Sequence, residues 1–269
     1  MYDIDLRGKT GLVMGVTNQR SIAWQIAQPL ARAGARLAFS YQGERLRPTL
    51  EKLTAGLDRP LLATCDVGDD DQLDALFERI EQEFGRLDYV VHAVAYAPQQ
   101  TFASPFREVS RDDWRTAMDV SAYSLVAVAD RAAKLMPDGG SIVTLSYLAA
   151  ERVVPHYNMM GVAKAALEAS MRYLAYDLGP AGVRVNALSA GPLRTVAARS
   201  ISGFGSMYGE AGKQSMLKRN ITGEEVGSMG FALLTDLAGG VTGETVHVDA
   251  GFHAIGMFLP DQGEDEDAG

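Results

Sequence analysis

Short apolar or β-branched runs alternate along this chain with longer segments of helical period, and a parallel sheet covered by helices on both faces satisfies such an alternation. Thr10 to Val16 reads as the first strand. Ser21 then opens a helix whose Ile22, Ile26, Leu30 and Ala33 share one face before Gly34 takes the C′ position. Ala35 to Tyr41, Leu61 to Cys65 and Leu87 to Ala95 read as the next strands, with helices over 43–55 and 69–84 between them. A long helix over 111–136, a strand at 141–145, a helix over 157–178, a strand at 184–188, a helix over 222–234 and a strand at 244–248 complete the pattern. The expected class is α/β: one domain over residues 1–260, a doubly wound parallel sheet. Residues 195–220, which include the Gly- and Ser-rich run Ser200-Ile201-Ser202-Gly203-Phe204-Gly205-Ser206, read as a mobile lid, and 261–269 as a disordered acidic tail.

Composition narrows the partners. With 269 residues, 47% hydrophobic and 22% charged, the chain can bury a sizeable core, which excludes disorder and fibre. No apolar run approaches the roughly 18 residues of a membrane helix, and Met1 to Arg7 lack a basic region leading into an apolar one, so neither insertion nor export is expected. The single cysteine, Cys65, has no disulfide partner, which fits a reducing compartment and makes the cytoplasm the expected location. The net charge is −9, but Asp261, Glu264, Asp265, Glu266 and Asp267 concentrate it at the end, leaving a mildly acidic body with no positive field for nucleic acid. His92, His156, His247 and His253 show no metal spacing and read as structural. Small ligands are the expected partners.

Gly15-Val16-Thr17-Asn18-Gln19-Arg20-Ser21-Ile22 joins a strand to a helix within a few residues, so exposed N–H groups and the positive end of the helix dipole face one spot. It keeps the first glycine of a Rossmann dinucleotide turn but has Ser21 and Ile22 where G-x-G-x-x-G has further glycines; alone, it also fits an ordinary connection capped by Ser21. Gln42, Asp66, Val67 and Val94 would emerge at the carboxyl ends of the next strands and surround an adenosine. Asp66 can accept from an adenine amino group or cap the following helix. Gln42 can bind a ribose 2′-OH and Glu44 would oppose a 2′-phosphate, which favours NAD (NADH) over NADPH, with Arg45 the opposing signal.

Tyr157 and Lys164 lie seven residues apart on one predicted helix, about two turns and roughly 10 Å of rise, so both can point into one cleft. With Ser146-Tyr147, His92-Ala93-Val94-Ala95-Tyr96-Ala97-Pro98, Gly182-Val183-Arg184-Val185-Asn186-Ala187, Ser189-Ala190-Gly191-Pro192-Leu193-Arg194-Thr195 and Gly243-Glu244-Thr245-Val246-His247-Val248-Asp249, the chain resembles the short-chain dehydrogenase/reductase superfamily. Within it, the chain resembles bacterial enoyl-[acyl-carrier-protein] reductases of the NADH-dependent type over nearly its whole length. Ketoreductases of the superfamily carry Tyr-x3-Lys; the extra turn here favours a lysine that grips the nicotinamide ribose and a tyrosine that stays protonated.

The resemblance implies reduction of trans-2-enoyl thioesters on acyl carrier protein in fatty acid elongation, by a homotetramer packed through the helices over 111–136 and 157–178. Hydride passes to C3 and Tyr157 holds the oxygen where negative charge collects. Tyr147 matches a second family tyrosine and stays open between orienting the thioester, relaying a proton and packing against the nicotinamide. Leu193, Arg194, Thr195, Val196 and Ala197 match a segment that runs along the nicotinamide, and Ala97 a substrate-contacting position. Tyr96, Met159, Ile201, Phe204, Met207 and Tyr208 are candidates for an acyl wall or for plain core. Arg199, Lys213, Lys218 and Arg219 could dock an acidic carrier or form a solvated face. The rival readings are an NADP-dependent 3-oxoacyl thioester ketoreductase and a non-catalytic nucleotide sensor. The first is disfavoured by Tyr-x6-Lys, the second by retention of both Tyr157 and Lys164.

Overall fold

Seven strands, β1 (Thr10–Met14), β2 (Arg36–Tyr41), β3 (Leu61–Thr64), β4 (Tyr89–His92), β5 (Gly140–Ser146), β6 (Val183–Ala190) and β7 (Thr245–Val248), form one parallel sheet in the order β3-β2-β1-β4-β5-β6-β7. The computed structural model describes residues 4–195 and 203–257. Successive side chains of each strand enter opposite cores. Leu12, Met14, Val90 and Ile142 meet α3 (Asp70–Phe84), α6 (Ser124–Lys134) and α7 (Asn158–Leu178). Val13, Phe39, Val91 and Val143 meet α1 (Ile22–Arg32), α2 (Arg47–Thr54) and α9 (Gly223–Leu234). Burial on both faces is why these strands read as continuous apolar runs.

Strand order reverses between β1 and β4, which opens a crevice outside their carboxyl ends. The backbones converge there: Gly15 has φ +91°, and a Cβ on it would stand 2.0 Å from the Ala93 carbonyl oxygen. Only glycine fits. A second close approach packs α9 on α1, where a Cβ on Gly227 would stand 2.3 Å from the Gln25 carbonyl oxygen.

Four expectations need correction. The long helix over 111–136 is α5 (Arg111–Met118), a π turn (Asp119–Tyr123) and α6. Side-chain bonds hold that bulge: the Ser124 hydroxyl donates to the Val120 carbonyl at 2.7 Å, and Ser121 turns towards the loop after β4. β4 stops at His92, because the following residues bend into contact with Gly15 and Ser121. The helix expected over 43–55 starts as a 3₁₀ turn (Glu44–Leu46) after Gly43 at φ +80°. The stretch read as a lid, where no helix was expected before residue 222, contains α8 (Phe204–Gln214), fixed by burial of Ala211 and Gly212 and by the Asn220 amide donating to the Tyr208 carbonyl at 3.0 Å. A short α4 (Gln100–Ala103) was not expected.

Val196, Ala197, Arg199 and Ile201, part of the expected lid, and the acidic tail lie outside the described residues. Among the described residues, no helix is long and apolar enough to cross a membrane, and no group of three or more His, Cys, Asp or Glu side chains could hold a metal ion. Cys65 is buried just past β3, and burial pushes its thiol up to about 12.

Candidate active site

The turn from Gly15 to Ser21 offers unused donors. The Ser21 hydroxyl does not cap α1; it accepts from the Thr17 and Asn18 N–H groups at 3.0 and 3.1 Å and so braces the turn. No acidic side chain stands in the first turn of α1, whereas α3, α5 and α9 are capped by Asp69, Ser110 and Thr222 and carry acids there. The first N–H groups of α1, with Ile22 leading, therefore face the crevice without a competing anion, a donor set suited to a dinucleotide's phosphates.

Gln42 and Asp66, just past β2 and β3, meet directly: the Gln42 amide nitrogen donates to Asp66 Oδ2 at 2.8 Å. The other Asp66 oxygen accepts from Gly68 N–H at 3.0 Å, so this residue closes a turn and Asp69 caps α3. Val67 is buried beside them, and Val94 packs on the α3/α6/α7 core just past β4. Arg47 is held by Glu51 and Glu44 at 2.9 and 3.6 Å, while Arg45 is exposed.

Tyr147 follows β5, and Tyr157 sits at the N-cap of α7; their ring centroids are 4.9 Å apart. Burial first, and Asp249 second, push the Tyr147 phenol up to about 12. Burial, then the neighbouring Tyr147, pushes Tyr157 well above the usual phenol range. Both hydroxyls keep their protons at neutral pH and can donate. Two turns along α7, Lys164 is buried and donates to the Leu145 carbonyl at 2.6 Å, at the β5 end that carries Tyr147. One helix face thus turns phenol and amine to one strand end. Burial lowers Lys164 to about 8, partly offset by Glu168.

Several residues behind this constellation carry no motif signal. The Ser146 hydroxyl donates to Glu168 Oε1, and burial raises that carboxyl above the usual range. His92 is fully buried, its ring nitrogens 3.0 and 2.9 Å from the Thr144 and Ser124 hydroxyls; burial lowers it to about 3, so it is neutral. Ser121 bridges the loop after β4, accepting from Tyr96 N–H and donating to Tyr96 C=O at 2.8 Å each.

On the substrate side, the Tyr147 hydroxyl points at Met207 Sδ of α8, 3.6 Å away. The Arg194 guanidinium lies 4.5 Å over the Tyr208 ring, and Phe204 packs 6.0 Å from Tyr208, linking α8 to the segment after β6 that carries Leu193, Arg194 and Thr195. Tyr96 is exposed. Met159 is core: it joins Ala97, Phe102, Ala117 and Met160 in a small apolar cluster. Within the basic run, Lys213 pairs with Glu210 at 3.4 Å and Arg219 with Glu225 at 2.6 Å.

An open phosphate turn at a strand-order reversal, with a Tyr-Lys pair aimed at the same edge, defines a nicotinamide-dinucleotide oxidoreductase of the short-chain dehydrogenase/reductase type. Residues 15–253 match the family described as Enoyl-(Acyl carrier protein) reductase. A relative from Rhizobium meliloti (strain 1021), enoyl-[acyl-carrier-protein] reductase [NADH] 1, is 50% identical over 256 residues, 95% of this chain and 94% of its own. The Staphylococcus aureus (strain MRSA252) enoyl-[acyl-carrier-protein] reductase [NADPH] FabI is 48% identical over 94% of this chain and 99% of its own. The crystal structure of the Bacillus cereus enoyl-acyl carrier protein reductase with NADP+ and indole naphthyridinone matches with a TM-score of 0.92 at 50% identity, covering 94% of this chain and all of that one. The chain belongs to the enoyl-(acyl carrier protein) reductase family.

Proposed function

We propose that this chain reduces trans-2-enoyl thioesters carried on acyl carrier protein, with NADH as its preferred coenzyme, in fatty acid elongation. The observation that carries the reading is the pair of half-buried phenols, Tyr147 and Tyr157, side by side at the β5 end that Lys164 of α7 also reaches. A nicotinamide held at this edge would supply the hydride for C3. As the C2–C3 π electrons move towards the carbonyl, the Tyr157 hydroxyl donates to the thioester oxygen and holds the enolate charge without surrendering its proton; C2 then takes a proton that originates in solvent. Lys164 has one fixed partner, the Leu145 carbonyl, and directs its remaining N–H groups at the ribose hydroxyls. Tyr147 orients the thioester. Leu193, Arg194, Thr195, Val196 and Ala197 line the nicotinamide, and Ala97 and Met207 contact the substrate.

Coenzyme choice follows from Gln42. A carboxylate can only accept, so the Gln42 nitrogen must face Asp66 and its carbonyl oxygen must face away. That oxygen accepts from a 2′-hydroxyl and repels a 2′-phosphate. The reading extends to a homotetramer, favoured by Trp114, Tyr173 and Tyr176 exposed on α5 and α7, to a lid over residues 195–220 and to a cytoplasmic location.

Crotonyl thioester with NADH, and separately acetoacetyl thioester with NADPH, should be mixed with purified protein while reduced-nicotinamide absorbance is followed. The first pair should turn over faster. Consumption with the ketone alone would make the chain a ketoreductase, and coenzyme binding without turnover a sensor.

A further inference from the structure

The backbone around Tyr157 is unusual on both sides. His156 and Asn158, its immediate neighbours, adopt φ of +66° and +40°, a left-handed region that non-glycine residues seldom occupy. Such conformations persist where the surroundings over-determine them. At Asn158 the surroundings are visible: its amide nitrogen donates to the carbonyls of Thr101 and Ser104, 3.1 Å each, at the C-terminal end of α4. Both partners are acceptors, so the amide orientation is unambiguous and both of its N–H groups are used. α4 is itself anchored to the loop after β4, with the Thr101 hydroxyl donating to the Pro98 carbonyl at 2.8 Å. From α4, Phe102 presents its ring edge to Tyr157 at a centroid distance of 6.5 Å and an angle of 75°, and Tyr147 packs on the same phenol at 4.9 Å. The phenol thus packs against two rings, and one of them sits on the helix that Asn158, the residue next to the phenol in the chain, ties down.

We propose that Asn158 is a positioning residue for the Tyr157 phenol, acting by tying α4 and its Phe102 to the start of α7. This rests on the reading of Tyr157 as the donor to the thioester oxygen. The Asn158 amide is committed to the backbone around α4, and its left-handed backbone and two donated bonds fix where the neighbouring hydroxyl stands. Aspartate would set oxygen against two carbonyls, whereas glycine keeps the backbone conformation and removes only the tie.

Asn158→Gly is therefore the informative variant. We expect kcat for crotonyl thioester to fall about tenfold, as misplacement of a reacting group does, while the Kd for NADH stays within about twofold. In a Tyr157→Phe background the same change should cost under about twofold, because the hydroxyl it positions is gone. Equal losses in both backgrounds, or no loss in the first, overturn the proposal. A second readout needs no turnover: with 3-fluorotyrosine at position 157, the ¹⁹F signal should be one narrow line in the parent and broadened or doubled after Asn158→Gly. An unchanged line overturns the proposal independently. An inactive parent protein with NADH and crotonyl thioester would instead sink the reading of Tyr157 itself.

Discussion

Tyr157 and Lys164 occupy one helix face but meet different chemistry, so their removal should separate. Tyr157→Phe leaves the ring packed on Tyr147 and Phe102 and deletes one donor; kcat should fall by roughly 10²-fold, about 3 kcal/mol of transition-state stabilisation, with the Kd for NADH nearly unchanged. Lys164→Ala should chiefly raise the KM for NADH, and steady-state kinetics on both variants checks the split. Because burial lowers Lys164 to about 8, the charged ammonium proposed to grip the ribose hydroxyls is lost as pH rises past that value. Coenzyme binding should weaken above about pH 8, by at most about tenfold per pH unit, and fluorescence titration should show no such limb in Lys164→Ala. The Tyr-Lys pair was legible in the sequence because seven residues fix a shared face whatever surrounds them. Ser121, Glu168 and Asn158 were not, because their partners, Tyr96, Ser146 and Thr101, lie 22 to 57 positions away.

Helix and strand positions followed from periodicity, and the misses fall where side chains overrule it. Asp119-Val120-Ser121-Ala122-Tyr123 continues a helical pattern, yet Ser121 and Ser124 take backbone partners of their own and the ladder widens into a π turn. Helix α8 contains Gly205, Ser206, Gly209 and Gly212, residues of poor helical propensity, and packing carries it. Gly15 was legible as a turn glycine, but not the reason for it, the Ala93 carbonyl just past β4 and far away in sequence. A methyl group 2.0 Å from that oxygen forces β1 and β4 apart, so Gly15→Ala should cost about 3 kcal/mol or more and abolish NADH binding. Urea titration and coenzyme fluorescence would show it; a variant as stable as its parent would contradict the packing described.

At the scale of the molecule, acid should unfold the chain partly through His92. The unfolded chain protonates this group near its ordinary 6.5, while the folded state refuses the proton until about 3. Its contribution is therefore complete above about pH 6.5 and is lost on acidification by about 1.4 kcal/mol per pH unit. His92→Gln, which cannot charge, should show a shallower decline in Tm between about pH 6 and 4. Assembly can be tested on α7, where Tyr173 and Tyr176 are 75% and 81% exposed: paired glutamate substitutions there should convert a tetramer to smaller species in sedimentation velocity. A parent that already sediments as one chain would refute the tetramer. The doubly wound parallel sheet was legible as a class because the strand-helix alternation leaves few other ways to bury both faces, whereas the strand order came from the structure. Cys65, finally, has a practical consequence: the native thiol is sealed and hard to ionise, so it should stay silent to maleimide reagents. A cysteine introduced on the outer surface of α8 would then be the sole attachment point for a dye, and the helix that holds Met207 could be watched during turnover without first stripping the parent chain of sulfhydryls.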